Sequence, residues 1–154
     1  MQKNAFLTEA ISIGDQLITH AEKNVHGLSW KTLRAFGENQ TWETTEDLYE
    51  GVSGIALFFL NLYTVTQDKK YLNVAREGMR WGFWYCRENP TNYFALVTGR
   101  MGVSYACLKF FEVTRERSYL KQALTIAKPV ENFLISPHGE CEFINGYAGT
   151  LLGL

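Results

Sequence analysis

Residues 51–75 read GVSGIALFFLNLYTVTQDKKYLNVA, and 48 positions later residues 99–123 read GRMGVSYACLKFFEVTRERSYLKQA. Laid over one another, Gly51 meets Gly99, Gly54 meets Gly102, Leu60 meets Leu108 and Tyr63 meets Phe111. Val65 with Val113, Tyr71 with Tyr119, Leu72 with Leu120 and Ala75 with Ala123 continue the match. A third copy opens at Gly146 as GYAGTLLGL. Self-similarity at such a period marks a repeat architecture, in which each unit buries its apolar face against its neighbours.

Each unit reads as two helices. Behind Gly51, the apolar residues Ile55, Ala56, Leu57, Phe58, Phe59, Leu60, Leu62 and Tyr63 leave almost no polar stripe, which marks an inner helix covered on most sides. A polar turn over 66–70 follows. Tyr71, Leu72, Ala75, Met79 and Phe83 then recur at helical spacing among Lys70, Asn73, Arg76 and Arg80, giving an amphipathic outer helix. The second unit repeats this logic, and Pro129 is expected to kink or end its outer helix. An earlier helix over about residues 6–22 carries Phe6, Ala10, Ile13, Leu17 and Ala21 on one face. From Val25 to Leu48 the chain is rich in Gly, Thr, Asn and Trp and reads as a long loop over a site or rim. The expected fold is all-α: helical-hairpin repeats making about three hairpins of an (α/α) toroid, with 1–154 a single domain. Two glycines one turn apart remove Cβ atoms from one helix face, so another backbone or a substrate can come near. Three such starts would crowd around one axis and aim their free N–H groups at one end, where chemistry is expected.

The composition narrows the function. At 154 residues, 46% hydrophobic and 14% aromatic, the chain is far from a disordered one. Fifteen Lys plus Arg against 16 Asp plus Glu leave a net charge of -1, which disfavours nucleic acid and anionic lipid as partners. No apolar run reaches the roughly 18 residues of a membrane span, and residues 1–9 lack the apolar core of a secretory signal. Three widely spaced cysteines, Cys86, Cys107 and Cys141, make a poor disulfide framework, and a cytoplasmic location is expected.

The repeat starts resemble a known family, the lanthionine synthetase C-like proteins. Leu48-Tyr49-Glu50-Gly51-Val52-Ser53-Gly54-Ile55-Ala56-Leu57-Phe58 is similar to its first inner-helix signature, preceded by Gly27-Leu28-Ser29-Trp30. Gly99-Arg100-Met101-Gly102 with Tyr105 and Ala106 resembles the second, and Phe143-Ile144-Asn145-Gly146-Tyr147-Ala148-Gly149 the third. The resemblance implies a toroid of nested helical hairpins and a cyclase. Such an enzyme adds a peptide cysteine thiolate to dehydroalanine or dehydrobutyrine, and a zinc ion held by two cysteines and a histidine activates the thiol. It also implies that those ligands lie in later hairpins, where an adjacent Cys-His pair is expected. This sequence has no Cys-His dipeptide, so no metal ligand is assigned to it, no cofactor is expected in the chain itself, and the chain is expected to be inactive alone.

Two residues are candidates for a site. Glu142 stands four residues before Gly146, where the family carries a catalytic aspartate; the alternative is a rim carboxylate favoured by the start of a helix. Arg100, inside the second Gly-x-x-Gly, is a candidate for binding a substrate carboxylate, with an ion pair to a neighbouring rim acid as the alternative. His138 and Cys141 are too few for a zinc site, and a surface turn is expected there. Cys86 and Cys107 lie on apolar helical faces and read as buried, inert thiols. The aromatic run Trp81, Phe83, Trp84, Tyr85 reads as core, and His20 and His26 as partners of a helix C-terminus. A peptide substrate is the expected partner, together with further hairpins or a second chain to complete the ring, and self-association through the open end is expected. Two other readings stand beside the cyclase. One is a glycan-processing toroid using Glu43, Glu46, Asp47 and Glu50 near Trp42 and Tyr49; the other is a non-catalytic scaffold that binds a peptide.

Overall fold

A computed structural model describes residues 2–36, 39–135 and 141–154. The chain opens with α1 (Gln2–Thr19), followed by strands β1 (Glu22–Asn24), β2 (Gly27–Ser29), β3 (Thr32–Phe36) and β4 (Asn39–Glu43). The repeat then gives α2 (Val52–Thr66), α3 (Lys69–Glu88), α4 (Arg100–Thr114), α5 (Arg117–Ala127), α6 (Val130–Leu134) and α7 (Tyr147–Gly153). α2 pairs with α3 and α4 with α5 as two helical hairpins, while α2 packs on α4 and α4 on α7. The inner helices thus form a row with the outer helices behind them, part of the helical-hairpin toroid expected from the repeat. Pro129 separates α5 from α6, as its missing N–H requires.

The apolar pattern decides which faces are covered. Val52, Ala56, Phe59 and Leu60 of α2 meet Tyr71, Ala75 and Met79 of α3 and Val103, Ala106, Cys107 and Phe110 of α4 in one core. Each fully buried side chain of Val, Leu, Phe or Met size contributes roughly 1.5–3 kcal/mol, so this seam dominates the stability. α1 closes the core from outside, and Trp30 Nε1 donates to the Leu17 carbonyl at 2.7 Å, tying the first helix to the segment after β2.

The structure corrects the reading of residues 25–48 as a loop. Strand β1 pairs with β2 and β3 with β4, both antiparallel. In the second ribbon no buried alternation announces a strand: Leu33 and Trp42, directly opposed across β3 and β4, are 43% and 66% exposed. The first ribbon is held against α3 by Gly27, whose φ is +140°; a Cβ there would meet the Glu77 carbonyl oxygen at 2.2 Å. Helix α1 also ends at Thr19 rather than near residue 22, where β1 begins.

The reason for Gly-x-x-Gly is likewise different from crowding about an axis. A Cβ on Gly54 would stand 2.2 Å from the Leu48 carbonyl oxygen, one on Gly102 2.4 Å from that of Leu96, and one on Gly149 2.0 Å from that of Phe143. In every repeat the extended segment leading into the inner helix lies back over that helix's first turn, six residues behind the glycine. The capping glycines Gly51, Gly99 and Gly146 all have ordinary negative φ, so space and not backbone freedom selects glycine at Gly51, where a Cβ would meet Asp47 N at 2.4 Å. Successive segments are joined through backbone: Tyr49 N–H donates to the Val97 carbonyl at 3.1 Å, and Val97 N–H donates to that of Ile144 at 3.3 Å. Leu48 reaches the second glycine of the next repeat, its Cγ lying 2.7 Å from where a Gly102 Cβ would be, and Leu96 occupies the same place beside Gly149.

At the other end of the inner helices, Gln67 and Arg115 both adopt the left-handed conformation, with φ of 59° and 60°, and donate their N–H groups to Tyr63 and Phe111. A left-handed non-glycine residue costs roughly 1 kcal/mol or more. Arg115→Gly is therefore expected to stabilise the chain by about 0.5–1 kcal/mol in urea unfolding. Gly102→Ala, which drives a methyl into a carbonyl and a leucine, is expected to destabilise it by about 3 kcal/mol. Equal and small effects of the two substitutions would contradict this account.

Candidate functional site

The segments before the inner helices gather at one end of the row and form a rim. There Asp47, 3% exposed, accepts hydrogen bonds at Oδ1 from the N–H groups of Tyr49 at 2.8 Å and Glu50 at 2.9 Å. Glu142, at the matching place in the third repeat, accepts from Ile144 N–H at 3.0 Å and from Asn145 N–H. The Glu142 carboxylate is thus committed to the same local turn that Asp47 makes. The second repeat carries Ala95 at this position, and Thr98 instead bridges to the third repeat, its Oγ1 donating to Asn145 Oδ1 at 2.7 Å.

Arg100 occupies a position where the repeats differ sharply in chemistry, standing where the first has Val52 and the third Tyr147. It is only 4% exposed. Its Nε lies 3.2 Å from Glu46 Oε1, Nη2 donates to the Asn89 carbonyl, and the guanidinium is 5.9 Å from the centre of the Tyr85 ring. Nη1 is buried without a hydrogen-bond partner among the described residues, and so is Thr45 Oγ1. Both residues line a recess of about 380 Å³ with Glu46, Tyr85, Tyr93 and Thr98. A buried donor left unpaired costs on the order of 1–3 kcal/mol, more for a charged group, so this recess has an unmet demand for an acceptor. Burial and the Glu46 carboxylate hold the Tyr85 phenol above its ordinary value, against the lowering pull of Arg100. Glu142 does not line the recess.

The other acidic residues of this region are tied to cations. Arg34 Nε lies 2.7 Å from Glu50 Oε2, and Arg34 Nη1 3.5 Å from Glu43 Oε2. With Glu46 on Arg100 and Asp47 on backbone N–H groups, each of these carboxylates has a charge or hydrogen-bond partner in the fold. Trp42 and Tyr49, the aromatic residues beside them in sequence, are each 66% exposed.

The sequence singled out Arg100 but not its setting. Thr45 and Tyr85 reach the recess from the segment after β4 and from the outer helix α3, a convergence that no spacing along the chain announces. The signal that was available is the charge of Arg100 where its repeat counterparts are Val52 and Tyr147.

No three of the described His, Cys, Asp or Glu residues converge into a group that could hold a metal ion. Burial pushes the Cys86 thiol up to about 11, with the Arg100 cation opposing, and burial raises Cys107 as well. A thiol held neutral is a poor ligand and a poor nucleophile. Cys141 is exposed, and His138 lies outside the described residues. The described residues do not fit the zinc site that the family resemblance implies. His20 Nδ1 lies 2.8 Å from the Gln16 carbonyl oxygen at the end of α1, as expected, whereas His26 instead stacks on Trp84 at 4.1 Å. At pH 8, iodoacetamide is expected to alkylate Cys141 within minutes and Cys86 and Cys107 only after unfolding, as read by peptide mass spectrometry. The folded chain retains the Cys86 proton in the range above pH 9 where the unfolded chain has released it, so stability falls as pH rises toward 11. Cys86→Ala is expected to flatten that slope in urea titrations.

The sequence model of the family described as lanthionine synthetase C-like protein matches residues 43–154, well over half of the chain. No curated protein matches the sequence. The matched region begins at the end of β4 and takes in the rim, all three glycine-led inner helices and both hairpins. With the repeat, the nested hairpins and this match in agreement, the chain belongs to the lanthionine synthetase C-like family.

Proposed function

We propose that this chain is the substrate-binding arc of a thioether-forming peptide cyclase, acting in the cytoplasm, and that the rim recess around Arg100 holds the peptide. The reaction adds a cysteine S–H across the Cα=Cβ bond of a dehydroalanine or dehydrobutyrine. Sulfur bonds to Cβ, the π pair moves to Cα, and a proton arrives there, so the step is redox-neutral. The observation that carries the binding role is Arg100 Nη1, a buried cationic donor without a hydrogen-bond partner among the described residues, in a recess bordered by Glu46, Thr45 and Tyr85. A peptide carbonyl or carboxylate oxygen supplies the missing acceptor. Glu46 fixes the guanidinium in place beforehand, which reduces the ordering cost on binding. Glu142 shapes the turn before α7, both its oxygens accepting backbone N–H bonds. Thiol activation falls to residues outside the described set, and the chain alone performs no cyclisation.

The test uses a fluorescein-labelled peptide carrying one dehydroalanine and one cysteine. Anisotropy is expected to show binding that Arg100→Gln weakens about tenfold, equal to 1.4 kcal/mol. Mass spectrometry after thiol alkylation is expected to show the peptide cysteine still free. Undiminished binding by Arg100→Gln, or ring formation by the chain alone, would refute the assignment.

A further inference from the structure

A second and larger cavity, of about 590 Å³, lies between the outer helices α3 and α5 and shares Arg100 with the rim recess. Its size falls within the roughly 300–1,000 Å³ typical of small-molecule sites. Phe83, Trp84 and Phe94 give it apolar walls, and Arg80, Arg87 and Arg100 give it cationic ones. No aspartate or glutamate among the described residues lines it: the carboxylates that pair with these arginines, Glu77, Glu88 and Glu46, all lie outside its lining. Neither zinc chemistry nor peptide cyclisation accounts for three arginines around an aromatic cavity.

One wall is preformed. His26 lies on Trp84 with ring centres 4.1 Å apart and planes inclined by 7°. The two-residue turn that carries His26 is pinned to α3 by Gly27, which fits only because no Cβ projects toward the Glu77 carbonyl. The Asn24 side chain fixes the same turn by accepting His26 N–H at 2.8 Å. Such a wall loses little freedom when a ligand arrives. Arg100 again supplies the unmet demand, since its buried Nη1 has no hydrogen-bond partner among the described residues and its side chain belongs to this lining too.

We propose that this cavity binds a small organic carboxylate, its apolar body against Phe83, Trp84 and Phe94 and its anionic oxygens toward Arg100 and Arg87. Arg100 Nη1 can donate to one carboxylate oxygen and the Arg87 guanidinium to the other, while the flat apolar body accounts for the aromatic walls. The cavity adjoins the peptide recess and shares Pro90, Thr91 and Arg100 with it, while its aromatic walls and Arg87 are its own, so an anionic ligand here does not depend on the cyclase reading.

Sodium 2-naphthoate serves as the probe and the neutral 2-naphthalenemethanol as its control, titrated calorimetrically into the 154-residue chain. Naphthoate is expected to bind at least about tenfold more tightly than the alcohol. Arg87→Gln, at an exposed side chain, is expected to weaken it about threefold and Arg100→Gln about tenfold. Ile126→Trp, which fills the cavity from α5 and does not touch the rim recess, is expected to abolish naphthoate binding while leaving peptide anisotropy unchanged. Equal affinity for acid and alcohol, unaltered binding to Ile126→Trp, or no binding heat at millimolar naphthoate would overturn the proposal. If Arg100→Gln does not fold, the preference for the anion and its loss in Ile126→Trp decide the matter.

Discussion

The architecture rests on a steric coincidence repeated three times: a carbonyl oxygen stands where the second glycine of each inner helix would otherwise carry a methyl. Leu48, Leu96 and Phe143 supply those oxygens. Because the entering segment lies on the helix it precedes, its leucine is presented sideways to the next repeat, and its backbone is free to bond the next segment. Helix start, lateral packing and rim are therefore one device. Close packing of this kind tolerates no added atom, which is why the pattern persists while most side chains around it change.

That device also explains where function can reside. The residue after each capping glycine sits at the entrance of an inner helix without being needed for the turn, and the chain uses it for Val52, Arg100 and Tyr147 in succession. An arginine there is carried into the interior by the helix it begins, so burial of the charge is imposed by the fold and then met by Glu46, the Asn89 carbonyl and the Tyr85 face. A buried ion pair contributes little net stability, and what this one does is hold a cation at the border of two recesses.

Much of this was legible in the residues themselves. The 48-residue offset, the apolar run 55–63 and Pro129 each act through local geometry, so period and helix ends could be read directly. The Gly-x-x-Gly spacing was recognised as a demand for close approach, but its partner was not, because that partner is a carbonyl and carbonyls leave no trace in side-chain identity. Strands β3 and β4 escaped because both faces are largely wet and the alternation of Leu33 and Trp42 with their neighbours reports no buried side. Around the site, Arg100 stood out by charge, whereas Thr45 and Tyr85 come from distant segments and could be found only by folding the chain.

The two main-chain links that run from Tyr49 to Val97 and from Val97 to Ile144 carry a consequence for how such proteins diversify. Neither link involves a side chain, so the three residues are free to be a tyrosine, a valine and an isoleucine without loosening the joint. Selection can thus rewrite the lip of the molecule one letter at a time, altering what it recognises, while the seam between adjacent modules stays closed.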